Sequence, residues 1–145
     1  MPDEETVSVI RAAVDAIVPS VDGEPGAVEL RVHEHVVESI ELFLPGFVEL
    51  LATLLNAYAP DVRPGAAFSD LTVEERQRVL RSMSNEENAD MQDVVDGLMV
   101  FTYGGFYSEW TGRDRATGEV VPPRAWRDVG FHGAVLGHPV YRENA

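Results

Sequence analysis

Four histidines, at positions 33, 35, 132 and 138, are the first residues in this chain to weigh for metal or proton chemistry. His33-Glu34-His35 has the residue types of a metal site but not the spacing. On a helix, side chains two residues apart point about 200° away from each other, so the two imidazoles cannot share an ion. The zinc-protease pattern His-Glu-x-x-His is absent. Both histidines are therefore expected to be ordinary residues near the boundary between core and surface. His132 and His138 sit in a glycine-rich stretch and could move protons beside a redox centre. No nucleophile elbow, triad spacing, phosphate loop or dinucleotide fingerprint accompanies them. Glu86, Glu87, Asp90, Asp93 and Asp96 lack the alternating oxygens and glycine of a calcium loop, and read as a solvated helix face. Arg113-Asp114-Arg115 reads as a polar loop with a weak local ion pair. No catalytic, metal-binding or cofactor-binding residue is assigned to this chain.

The strongest signal is aromatic. Phe101, Tyr103, Phe106, Tyr107, Trp110, Trp126 and Phe131 cluster in the last third, interleaved with glycine and proline. That composition defeats long regular elements, yet it is too apolar for a solvated tail. The rings must be buried against the chain's own helices, against a partner protein, or both. Tryptophan and tyrosine are the residues that anchor protein interfaces. Phe106, Tyr107, Trp110, Trp126, Phe131 and His132 are accordingly the candidate contacts with a partner. Trp110, read as lying in the open part of the arm, is the expected anchor.

Charge separates the same segment from the rest. The chain of 145 residues has a formal charge of −14, with 11 arginines and no lysine. Residues 1–100 hold 20 acids and 6 arginines, whereas residues 101–145 hold 5 of each. An acidic body argues against nucleic acid and against anionic membrane surfaces; the neutral arm suits protein contact. With no cysteine, thiolate metal sites, iron–sulfur clusters and disulfides are excluded. No apolar run approaches the roughly 20 residues of a membrane helix. The start, Met1-Pro2-Asp3-Glu4-Glu5, resembles no secretory signal, so the expectation is a cytoplasmic protein.

Hydrophobic periodicity supplies the elements that position these residues. Helices are expected over about 4–18, 27–44, 46–58, 72–83 and 88–103. Their stripes are Val7, Ile10, Val14 and Ile17; Val32, Val36, Ile40 and Phe43; Phe47, Leu50, Leu51, Leu54, Leu55 and Tyr58; Val79 and Leu80; and Met91, Val94, Val95, Leu98 and Thr102. The third, apolar over half its circumference, is expected at the centre. Thr72 with Glu75 forms a capping box. Gly97, inside the fifth helix, suggests a close helix crossing. The fold expected is all-α: a bundle of about five helices over residues 1–103, with an irregular arm over 104–145 packed on the bundle, on a partner, or on both, as one domain.

The ordered motifs resemble a known family. Ala16-Ile17-Val18-Pro19 is followed by Pro25-Gly26-Ala27, then by Phe68-Ser69-Asp70-Leu71 with Glu74-Glu75-Arg76 and Val79-Leu80. Gly105-Phe106-Tyr107-Ser108 comes next, and Trp126, Val129-Gly130-Phe131 and Gly133 close the series. In this order the chain is similar to the gluconate 2-dehydrogenase subunit 3 family, small subunits of flavin-dependent sugar and polyol dehydrogenases. The resemblance implies a non-catalytic accessory subunit that binds and stabilises a glucose–methanol–choline-type oxidoreductase acting on a sugar, glycoside or alcohol. FAD is then expected in the large partner subunit and no cofactor in this chain. Many members carry a twin-arginine signal that this sequence lacks, which points to a cytoplasmic complex. Two other readings stay open: a self-contained enzyme using His132 or His138, and an acidic scaffold or regulatory module.

Overall fold

The computed structural model describes residues 1–131, and within them the fold is all-α. Five long helices, α1 (Glu4–Ile17), α2 (Val32–Phe43), α3 (Phe47–Val62), α4 (Val73–Ser84) and α5 (Ala89–Phe106), form the bundle. Short 3-10 turns occupy Phe68–Asp70 and Glu109–Gly112, and a five-residue helix, α6 (Arg124–Asp128), follows in the arm. His132, His138 and Gly133 lie outside the described residues.

The central helix is α1, not α3. It packs against α2, α3, α4 and α5. The reason is side-chain size: Ala12, Ala13 and Ala16 are buried beside Val9, Ile10 and Val14, so neighbours approach from several sides. A count of large apolar residues overlooks such a helix. The richly apolar α3 instead leaves Leu50 half exposed. Asp3 caps α1 by accepting the Thr6 amide at 2.7 Å.

Three helix boundaries differ from the periodicity reading. Residues 27–31 coil as turns, with Arg31 in the left-handed region at φ 59°, before α2 begins at Val32. The Val32 amide reaches back to the Ala27 carbonyl at 2.8 Å, which closes that coil. Helix α3 continues through Pro60 to Val62. Pro60 has no N–H to donate to the Asn56 carbonyl, so the helix passes through it with one ladder bond missing. Helix α5 runs through Gly104-Gly105 to Phe106, because tertiary packing rewards one of those glycines.

That packing is specific to Gly105. A Cβ there would lie 2.5 Å from His35 Cδ2 and 2.9 Å from Val32 Cγ1, so α2 and α5 cross at a point that admits only hydrogen. Gly97, expected to serve this purpose, has nothing within 4 Å of a Cβ position. Phe43 also departs from its expected core role and is 69 % exposed at the end of α2.

The remaining motifs have equally local causes. At Gly26 a Cβ would collide with the backbone of Val18, Pro19 and Ser20, and Ala27 N–H donates to the Val18 carbonyl at 2.9 Å. The Pro-Gly-Ala turn is thereby seated on the end of α1. Phe68 is fully buried and its amide donates to Asn56 Oδ1 at 2.9 Å. Arg76 donates to the Ser69 carbonyl at 2.8 Å and pairs with Asp15 at 3.2 Å, joining α4 to α1. The expected capping box forms: Thr72 Oγ1 accepts the Glu75 amide at 3.2 Å, and Glu75 accepts the Thr72 amide at 2.8 Å.

Candidate subunit interface

The arm is fastened to the bundle at two places, and the same aromatic residues serve as the fasteners. Ser108 begins the first. Its hydroxyl donates to the Gly105 carbonyl at 2.8 Å and accepts the Trp110 amide at 3.2 Å, which turns the chain out of α5. Trp110 is then laid against the start of α2. Its indole N–H donates to the Arg31 carbonyl at 3.1 Å, and its ring meets His35 with centroids 5.4 Å apart. The Arg115 guanidinium covers the ring at 4.1 Å. Trp110 is therefore half-buried and engaged within its own chain, rather than standing in an open stretch.

Arg115 extends this junction electrostatically. It donates to Glu34 at 2.6 Å and to Glu38 at 3.4 Å, while Arg31 grips Glu34 with two hydrogen bonds at 2.8 and 2.9 Å. Burial pushes the Glu34 carboxyl up, but Arg31 and Arg115 together outweigh it and hold its pKa below the usual range. Each pair is partly exposed and contributes little alone; the cation–π contact adds roughly 0.5–1 kcal/mol at such a site. Asp114, read from sequence as a partner for its neighbouring arginines, instead accepts the amides of Ala116 and Thr117 at 2.8 and 3.2 Å and shapes the loop.

The second fastening is made by the closing motif. Trp126 N–H donates to the Tyr107 carbonyl, and Trp126 meets Phe131 edge-on with centroids 4.9 Å apart. Phe131 N–H donates to the Trp126 carbonyl at 2.7 Å. Ala125 and Pro123 are buried, and Arg124 pairs with Glu24 on the loop after α1. Gly112 lets the intervening loop close on itself: the Val121 amide donates to the Gly112 carbonyl at 3.0 Å, with the Val121 carbonyl packed where a Cβ would be.

The six residues singled out from sequence thus separate into two groups and one outside. Phe106, Trp110 and Trp126 are partly buried and bind the arm to the bundle. Tyr107 and Phe131 are 42 % and 48 % exposed, and Val121 and Val129 of the same arm are exposed as well. His132 falls outside the described residues. The first group supplies rigidity, and the second is the free apolar surface that a partner could cover. Arg31 and Glu34 form a local i, i+3 pair, but Arg115 was not legible as its third member, because it lies 81 residues from Glu34.

The two histidines of α2 face different environments. His33 is buried, accepts a long 3.4 Å bond from Arg11 on its Nε2, and its Nδ1 has no partner among the described residues. It is therefore more enclosed than a boundary residue. His35 is half-buried between Trp110 and Ser39. Burial pushes both imidazoles below their usual pKa, with Arg11 adding to the effect at His33. The neutral form is favoured, and the rings are held apart as the helical spacing requires. Among the described residues no cluster of three metal-ligating side chains occurs and no helix is long and apolar enough to cross a membrane.

Neither curated proteins nor solved structures yield a match to this chain. The family model described as gluconate 2-dehydrogenase subunit 3 matches residues 4–133. That span takes in all five bundle helices and both fastenings of the arm, including every motif whose packing is described above. The chain belongs to the gluconate 2-dehydrogenase subunit 3 family, a family of dehydrogenase-complex subunits.

Proposed function

We propose that this protein is a non-catalytic subunit that binds and stabilises an FAD-dependent oxidoreductase of the glucose–methanol–choline type, acting on a sugar, glycoside or alcohol. The observation that carries the reading is the family match across residues 4–133. The arm supports it chemically. It is fastened at two places within the described residues, it is electrically balanced within an acidic chain, and it leaves Tyr107 and Phe131 outside the core. A fixed arm loses little freedom on binding, so more of its contact energy appears as affinity. In this reading FAD and the reacting groups belong to the large subunit, and Tyr107, Phe131 and the exposed valines of the arm form the contact. Isolation of the tagged chain from its host tests the proposal. A stoichiometric flavoprotein, identified by mass spectrometry and by its flavin absorbance, is the expected companion. A chain that purifies alone while the host oxidises the substrate through an unassociated flavoprotein would refute it.

A further inference from the structure

We propose that a groove at the α2–α3 corner is a second docking site, which receives an apolar segment bearing arginine or lysine from another protein. The groove lies at the opposite end of the α2–α5 contact from Gly105, away from the arm. It encloses about 270 Å³, below the roughly 300–1,000 Å³ of a small-molecule site, and suits a few aliphatic side chains. Ile40, Leu51 and Leu98 form its floor; Leu44, Phe47 and Phe101 form its walls. Leu44 itself is 50 % exposed, and Phe43 and Leu50, next in sequence to the lining residues Leu44 and Leu51, are 69 % and 49 % exposed. Clustered exposure of this kind marks an interaction surface, unlike a scattered apolar residue.

Gly97 keeps the groove open. It lines the cleft, and no atom lies within 4 Å of where its Cβ would be. A glycine inside a helix costs stability, and here no close helix crossing requires it. An open cleft is what it provides.

Charge identifies the occupant. Asp90 and Asp93 line the groove, and neither has an ion-pair partner among the described residues. An apolar floor with an acidic rim complements a helix or extended segment that has apolar anchors and flanking cations. A second copy of this chain would instead bring two acidic rims together, against a formal charge of −14 on each.

The test uses the full chain, labelled with ¹⁵N, and two synthetic amphipathic helices. Both present leucine at i, i+3, i+4 and i+7; one carries arginine and the other glutamate beside that face. The arginine peptide is expected to shift the amide resonances of Gly97 and Leu98 and to bind at least about tenfold more tightly than the glutamate peptide. Gly97→Leu, which fills the cleft, and the surface pair Asp90→Arg with Asp93→Arg should each weaken binding by about tenfold or more. The charge-reversed pair keeps the test decisive if Gly97→Leu fails to fold. Equal binding of the two peptides, or undiminished binding by the charge-reversed protein, overturns the proposal. So does a dimer that Phe43→Glu dissociates, which makes the occupant a second copy. Binding that appears only after residues 132–145 are removed overturns it as well, because the occupant is then the chain itself.

Discussion

Two alanine substitutions in the same helix should move stability in opposite directions. At Gly105 the new methyl would sit 2.5 Å from His35 Cδ2 and 2.9 Å from Val32 Cγ1. Val32 is fully buried and cannot retreat. His35 must withdraw by nearly an ångström, into the space where it meets Trp110. Overpacking of this kind costs about 1–3 kcal/mol, offset by the roughly 0.8–1 kcal/mol that alanine gains over glycine in a helix. The net expectation is a loss of up to about 2 kcal/mol after those two effects are combined. At Gly97 the same methyl meets nothing, so only the helix term remains and stability should rise by about 0.5–1 kcal/mol. For a chain of this size 1 kcal/mol corresponds to about 2–4 °C in Tm. Thermal melts followed by circular dichroism should place Gly105→Ala below the wild type and Gly97→Ala above it. A Gly105→Ala protein that melts as high as Gly97→Ala would refute the close α2–α5 crossing.

Four further outcomes follow from the arm and the histidines. Trp110→Ala should lose its bond to Arg31, its stacking on His35 and the Arg115 cation–π contact, lowering Tm and opening the arm to limited proteolysis; unchanged cleavage kinetics would contradict that fastening. Tyr107→Ala with Phe131→Ala should leave Tm within a few degrees but weaken association with the proposed flavoprotein partner by about 2 kcal/mol or more if either is an anchor, measured by titration calorimetry; wild-type affinity would move the contact elsewhere. His33 and His35 have folded pKa values below their unfolded ones, so their contribution is fully present above the unfolded value near 6.5 and is lost as pH falls from there through the folded values. Chemical denaturation across that window should show a stability loss that is smaller in the His33→Gln, His35→Gln double variant, and an identical slope in both proteins would count against the burial. The same double variant should retain the activity of the assembled dehydrogenase, since the two rings face different neighbours; loss of activity with assembly intact would give one of them a chemical role.

The sequence was readable wherever a residue's role depended on near neighbours. The Thr72–Glu75 box caps the helix it was expected to open, and Asp3 and Asn88, next to the expected starts of the first and fifth helices, cap α1 and α5. Buried Ile10, Val14, Val36, Ile40, Val95 and Leu98 follow from periodicity. Errors arose where a distant contact reversed a local preference. Glycine at 104–105 marks a helix end by propensity, but α2 rewards its continuation. Small residues made α1 look less central than α3, although they are what let four helices meet it. Phe43 fits the α2 stripe by spacing, yet the helix ends there and its ring points outward. The aromatic arm was recognisable by composition; which rings fasten it and which stay free depended on carbonyls and a guanidinium supplied from elsewhere in the chain.

The central proposal concerns a partner, so the most direct measurement is on the assembled complex. The tagged chain is purified from its host and analysed by light scattering, with absorbance recorded across the flavin bands and the companion chain sequenced by mass spectrometry. A defined heteromer is predicted in which a glucose–methanol–choline-type large subunit carries the FAD and this chain carries none. A chain that elutes without a flavoprotein, or that binds flavin itself once the companion is removed, would contradict the account.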